Sequence, residues 1–134
     1  MTPLPLVLLV DDYADTRDLY GTYLRMQGYR IEEAENGMEG VVKAVDLHPA
    51  VIVMDIAMPI LNGFDATRQL KQEPRTEAIP VICLTAHGHP SQRDRALREG
   101  CVAFLTKPCL PREVAAEIAR VLGKDDGGSE PVRE

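Results

Sequence analysis

The chain has 134 residues, 45% of them hydrophobic and 27% charged, with a net charge of −6. That length builds one hydrophobic core and falls short of two ordinary domains, and the composition is that of a globular chain rather than a disordered one. The acidic balance argues against nonspecific nucleic-acid binding, and no apolar run reaches the ~20 residues of a membrane span.

In chain order, Leu6-Val7-Leu8-Leu9-Val10 is a continuous apolar run that stops at Asp11-Asp12. Runs of this kind are expected of strands buried on both faces. The segment Asp15 to Gln27 places Leu19, Tyr20, Tyr23 and Leu24 on one side at helical spacing, and Gly28 ends it as a residue tolerant of positive φ. Gly21 inside this helix costs about 1 kcal/mol relative to Ala, with close packing as its one evident rationale. Tyr29 to Ala34 is the second strand. Asn36-Gly37 opens a helix in which Met38, Val41, Val42 and Val45 are expected to share the inner face. After Pro49, the third strand Val51-Ile52-Val53-Met54 stops at Asp55. Phe64 to Leu70 is the third helix. Pro80 opens the fourth strand, Val81-Ile82-Cys83-Leu84, which stops at Thr85.

Pro90 to Glu99 is the fourth helix, closed by Gly100. It is the least apolar of the five, with only Ala96 and Leu97 to anchor it, and it carries Arg93, Arg95 and Arg98. The last strand, Val102 to Thr106, stops at Lys107-Pro108. Pro111 to Leu122 is the fifth helix, with Val114, Ile118, Val121 and Leu122 facing inward. Residues 124–134 are polar and read as a disordered tail, which leaves 1–123 as the domain. Five strand–helix repeats specify one doubly wound α/β domain, a parallel sheet with helices on both faces joined by right-handed crossovers.

In such a sheet the carboxyl ends of the strands line one crevice, and ligands bind there. Asp11, Asp12, Asp55, Thr85 and Lys107 all stand at strand ends. Three carboxylates, a hydroxyl and an ammonium in one small volume make a metal-assisted phosphoryl site with a carboxylate nucleophile, Asp55. Two like charges ~4 Å apart cost on the order of 4 kcal/mol at an effective dielectric of 20, so the site requires cationic company. Hard oxygen ligands without His or Cys favour Mg²⁺ or Mn²⁺. Cys83, Cys101 and Cys109 lack CxxC or His-paired spacing, which reads as buried or free thiols in a reducing compartment. The first residues carry no basic n-region of a signal peptide, and a cytoplasmic location is expected.

The ordered set Asp11-Asp12, Met54-Asp55-Ile56-Ala57-Met58-Pro59, Thr85-Ala86 and Lys107-Pro108 resembles the receiver domain of two-component response regulators, over roughly residues 5 to 123. The resemblance implies a flavodoxin-like (βα)5 fold with strand order 2-1-3-4-5. It implies phosphorylation of Asp55, direct metal binding by Asp12 and by the Ala57 backbone carbonyl, and binding by Asp11 mainly through water. It also implies a cis Lys107-Pro108 peptide, a Thr85–Phe104 switch, and tuning of phosphoryl hydrolysis at Ala57 and His87. A histidine kinase or phosphotransfer protein is the implied donor. The fourth helix, fifth strand and fifth helix form the implied output face, in a monomer or a weak phosphorylation-dependent dimer without direct nucleic-acid contact.

On this reading the domain is no turnover enzyme, although it assists its own phosphorylation and dephosphorylation. A phosphorelay intermediate or phosphate sink is the alternative within signalling. The alternative among enzymes is a Mg²⁺-dependent aspartyl phosphatase. Such enzymes usually carry Asp-x-Asp and a cap insertion, and Asp55-Ile56-Ala57 lacks the second acid.

Overall fold

The three central strands are buried along their whole length, as their unbroken apolar runs require. The computed structural model describes residues 4–86 and 88–123; the expected tail at 124–134 and His87 lie outside the described residues. The elements run β1 (Leu6–Val10), α1 (Ala14–Met26), β2 (Arg30–Ala34), α2 (Gly37–Leu47), β3 (Val51–Asp55), α3 (Gly63–Gln72), β4 (Val81–Thr85), α4 (Pro90–Glu99), β5 (Ala103–Thr106) and α5 (Pro111–Val121). All strand pairs are parallel, in the order β2-β1-β3-β4-β5. The expected doubly wound α/β fold is the one observed. At one edge, β2 sets exposed Arg30 and Glu32 along its length, charges that discourage pairing with another sheet.

Period-two alternation divides the core. Leu8, Val10, Ile52, Met54, Val81 and Cys83 face one side, where Ala44 of α2, Phe64, Ala66 and Leu70 of α3 and Ala96 of α4 cover them. Val7, Leu9, Val51, Val53, Ile82 and Leu84 face the other, under Tyr20 and Leu24 of α1 and Val114 and Ile118 of α5.

The helix positions match expectation, but several inner faces do not. In α1, Leu19 is exposed, and Tyr20, Gly21 and Leu24 are the buried residues. In α2, Met38 and Val42 are exposed, while Gly37, Gly40 and Ala44 are buried. The cause is close approach: a Cβ at Gly40 would stand 3.0 Å from the Val10 side chain. Small residues therefore seat α2 on β1, and the larger ones turn outward. Leu97 does not anchor α4 either, since only Ala96 of that helix is buried.

The cysteines depart from the free-thiol expectation. Cys83 and Cys101 form a disulfide with Cα atoms 6.3 Å apart, and Cys109 remains free. Their spacing of 18 residues matches no motif. The chain loops out from β4 through α4 and returns at Cys101, whose amide donates to Ala96 O at 3.0 Å. Both sulfurs thereby enter one core cluster. Thiol alkylation under denaturing conditions should modify only Cys109 without reductant, and all three cysteines after reduction, as read by intact mass.

Gly21 is not held by steric need. A Cβ there would meet Arg25 Nη1 and Ile31 Cγ2 at 3.6 Å and Leu9 Cδ1 at 3.7 Å, ordinary contact distances. Gly21→Ala should therefore stabilise the fold by about 0.5–1 kcal/mol through the lost helix penalty, measured as a higher urea midpoint at unchanged m-value.

Candidate functional site

The chain leaves β1 through a turn that is fixed from several directions. Asp11 N donates to Ala34 O at 3.1 Å, continuing the ladder, and Asp11 Oδ1 accepts from Tyr13 N at 2.9 Å. Arg17 Nη1 donates to Asp11 O at 2.7 Å while its Nε pairs with Glu33 at 2.8 Å. Asp12 follows Asp11, and Asp55 ends β3 on the neighbouring strand. Each of the three acids offers a carboxylate oxygen, and these oxygens lie within 4.8 Å of one another.

Lys107 enters from the end of β5. Its Nζ stands 3.2 Å from Asp11 Oδ2 and 3.6 Å from Asp55 Oδ1. The ammonium is shared by two acids and is nearer to Asp11. Lys107 N donates to Thr85 O at 2.7 Å, and the Lys107-Pro108 peptide is cis.

Asp11 and Asp55 are 5% and 6% exposed, so their charges meet little water. Burial, and then the Asp11 carboxylate, push the Asp55 pKa from 3.8 up to about 6, against the opposing pull of Lys107. Burial works against the Lys107 ammonium, but the Asp55 and Asp11 carboxylates outweigh it and hold its pKa above the ordinary lysine value. Asp12 Oδ1 is buried and accepts no hydrogen bond. A buried carboxylate oxygen without a partner is costly. Three acids facing one ammonium, with one oxygen unsatisfied, suit a hard divalent cation taking oxygen ligands. Ala57 lies in the exposed loop after Asp55.

Thr85 ends β4, one register position beyond the Asp55–Leu84 pair. It is buried, and its hydroxyl donates to Oε1 of Gln92 on α4 at 3.2 Å. Phe104 on β5 is half-buried against the core side that carries α4. The structure thus brings together Asp11, Asp12, Asp55 and Lys107, with Thr85 on the adjoining strand. Phe104 sits further back along β5.

Several positioning residues escaped the sequence reading. Arg17 and Gln92 are ordinary polar helix residues with no local signature. Tyr20 was expected only as core, yet its hydroxyl donates to Cys109 O at 2.7 Å, tying α1 to the loop after Lys107. Burial, with nearby negative groups, pushes the Tyr20 pKa up to about 12, so it stays a donor. Gly63 opens α3 under the Asn62 cap, and that dipeptide was the one available signal. A Cβ at Gly63 would stand 2.3 Å from Asp55 O. Gly63→Ala should cost roughly 1–3 kcal/mol by overpacking and displace the Asp55 resonances in NMR spectra.

Between pH 3.8 and about 6 the folded, metal-free protein holds a proton on Asp55 that the unfolded chain releases. The Asp55 contribution to stability therefore falls as pH rises through that window. Asp55→Asn removes this loss, so the variant should exceed the wild type by on the order of 1 kcal/mol above pH ~6 after screening. The excess should vanish below pH ~4 in urea titrations without divalent ions.

Comparisons with known proteins agree with this geometry. The response regulator receiver domain family matches residues 7–119. The phosphate regulon regulatory protein PhoB of Pseudomonas aeruginosa is 36% identical over 91% of this chain, and the match spans 53% of PhoB. The chain spans about half the length of the first relatives of this kind that it matches. Protein PilH of the same organism is 41% identical over 87% of this chain and 96% of its own length. Among solved structures, the receiver domain of the P. aeruginosa sensor histidine kinase PA1611 superposes with a TM-score of 0.83 at 29% identity, over 90% of this chain and 99% of that one. That structure holds a magnesium ion in its active-site cleft.

Proposed function

The chain belongs to the response regulator receiver family, a phosphorylation-activated switch of two-component signalling, and we propose that Asp55 is its phosphoacceptor. The observation that carries this reading is the meeting of Asp11, Asp12 and Asp55 within 4.8 Å, with Asp12 Oδ1 unsatisfied. Asp12, Asp55 and the Ala57 carbonyl would hold Mg²⁺ (or Mn²⁺) directly, and Asp11 through water. When bound, the ion supplies positive charge for the oxygens of the transferring phosphoryl group.

The donor is a histidine kinase or a phosphotransfer protein, as is general for receivers. Asp55 attacks phosphorus opposite the departing imidazole, and the P–N bond of phosphohistidine gives way to an acyl phosphate on Asp55. Lys107, held at the site by Asp11, pairs with the phosphoryl oxygens as a point charge. Thr85 turns its hydroxyl to the same group, and Phe104 moves toward the space that Thr85 leaves. Moving the switch from 1:99 to 99:1 needs ~5.5 kcal/mol of differential stabilisation, the general scale of several charge-assisted contacts. The same side chains assist hydrolysis of the acyl phosphate, so the domain acts on itself.

The output surface on this reading is α4, β5 and α5. Leu97 and Val102 are each 47% exposed there, beside Phe104. The α4 helix is held to α3 largely by charge: Arg95 pairs with Asp65 at 3.3 Å and Arg68 with Glu99 at 3.2 Å. A helix held this way moves more easily than one held by a broad apolar face. No helix among the described residues is long and apolar enough to cross a membrane; a kinase or phosphotransfer donor favours a cytoplasmic location, although the Cys83–Cys101 link is of a kind uncommon there.

With Mg²⁺ and acetyl phosphate, borohydride trapping and mass spectrometry should label Asp55 alone. Equal labelling of Asp55→Asn would falsify the assignment. Asp12→Ala should remove the Mg²⁺ dependence. Lys107→Ala should bind Mg²⁺ at least as tightly as wild type, since it removes a competing cation, while losing the phosphoryl-dependent shifts of α4 in hydrogen exchange.

A further inference from the structure

The Thr85 hydroxyl has one proton to donate. In this structure it goes to Gln92 Oε1, at 3.2 Å. Gln92 lies in the first turn of α4, where its amide donates to His89 O at 3.0 Å. Thr85 is 2% exposed and Gln92 partly buried, so the bond meets less water than a surface one. The C-terminal half of α4 is held separately. There Ala96 is buried, Arg95 pairs with Asp65 at 3.3 Å, and its guanidinium lies 4.4 Å above the Phe64 ring.

We propose that Gln92 is a positioning residue that holds Thr85 in its unphosphorylated orientation and competes with the phosphoryl group for the Thr85 proton. This rests on the reading of Asp55 as phosphoacceptor. An anionic phosphoryl oxygen is a stronger acceptor than a neutral amide, and 3.2 Å is long for an O–H···O bond. The phosphoryl group therefore wins the proton, and Gln92 loses its tie to the end of β4. The first turn of α4 is then freed while its far end stays clamped to α3, so the helix pivots rather than detaches. The coupling is reciprocal. A partner that draws the first turn of α4 away from β4 also releases Thr85 toward Asp55.

The test uses beryllofluoride, an anionic phosphoryl mimic, titrated into the whole chain at saturating Mg²⁺ and followed by ¹⁹F NMR. Gln92→Leu should bind beryllofluoride about threefold more tightly than wild type, with its Mg²⁺ affinity unchanged. Gln92→Glu keeps an acceptor and should not show the gain. In a Thr85→Val background, where no proton is contested, Gln92→Leu should have no effect, and this double-mutant cycle separates competition for the proton from a general loosening of α4. Gln92→Ala serves as a second acceptor-free variant should Gln92→Leu melt early. Equal or weaker binding by both acceptor-free variants would overturn the latch, as would the same gain with Val at position 85. Failure of the wild type to bind beryllofluoride would instead overturn the reading of Asp55 itself.

Discussion

Negative charge gathered in a place with little water is the constraint on which the rest of this structure depends. Asp11 and Asp55 are almost fully buried, and Asp12 contributes an oxygen with no hydrogen bond. One ammonium divides itself between Asp11 and Asp55, and it does not balance three acids. The raised pKa of Asp55 is the visible consequence. Fold stability would be better served by removing an acid. The cluster suits a divalent cation, which supplies the positive charge that one ammonium does not. Strain of this kind at a functional centre is sustained by the surroundings that over-determine it.

Those surroundings are the strand ends. Parallel pairing of β1 with β3 sets Val10 opposite Met54, so Asp11 and Asp55 follow on adjacent strands. Arg17 and Tyr13 then fix the turn after β1, and Gly63 lets α3 start hard against the backbone of Asp55. The site is thus precise because Asp55 and Thr85 end strands, while Asp11, Asp12 and Lys107 stand in turns directly after strands.

Much of this was readable from residue order. Continuous apolar runs reported the buried strands, and a charged or hydroxyl residue at the end of each reported the crevice. Helical faces were less readable, and α2 shows why. Hydrophobic periodicity favours Met38 and Val42, but burial there follows small size, since Gly37, Gly40 and Ala44 let the helix sit close to the sheet. Pairings between elements left no local trace at all. The Cys83–Cys101 link, the sharing of Lys107 and the contact of Thr85 with Gln92 each depend on where α4 and β5 return, which no spacing encodes.

The weakness of α4 belongs to the same logic. A helix with a single buried side chain contributes little to the core, and in a domain of this size each helix is needed to cover the sheet. Its attachment is made of contacts that can be exchanged: ion pairs to α3 at one end, and a long hydrogen bond to the end of β4 at the other. Apolar burial would have held α4 in one position whatever happened at Asp55. Polar ties are weaker holds than apolar burial, and on the proposed reading a charge arriving at the strand ends would compete for them. The rigid apolar contacts of this fold thus lie under the acidic cluster, and the polar contacts hold α4.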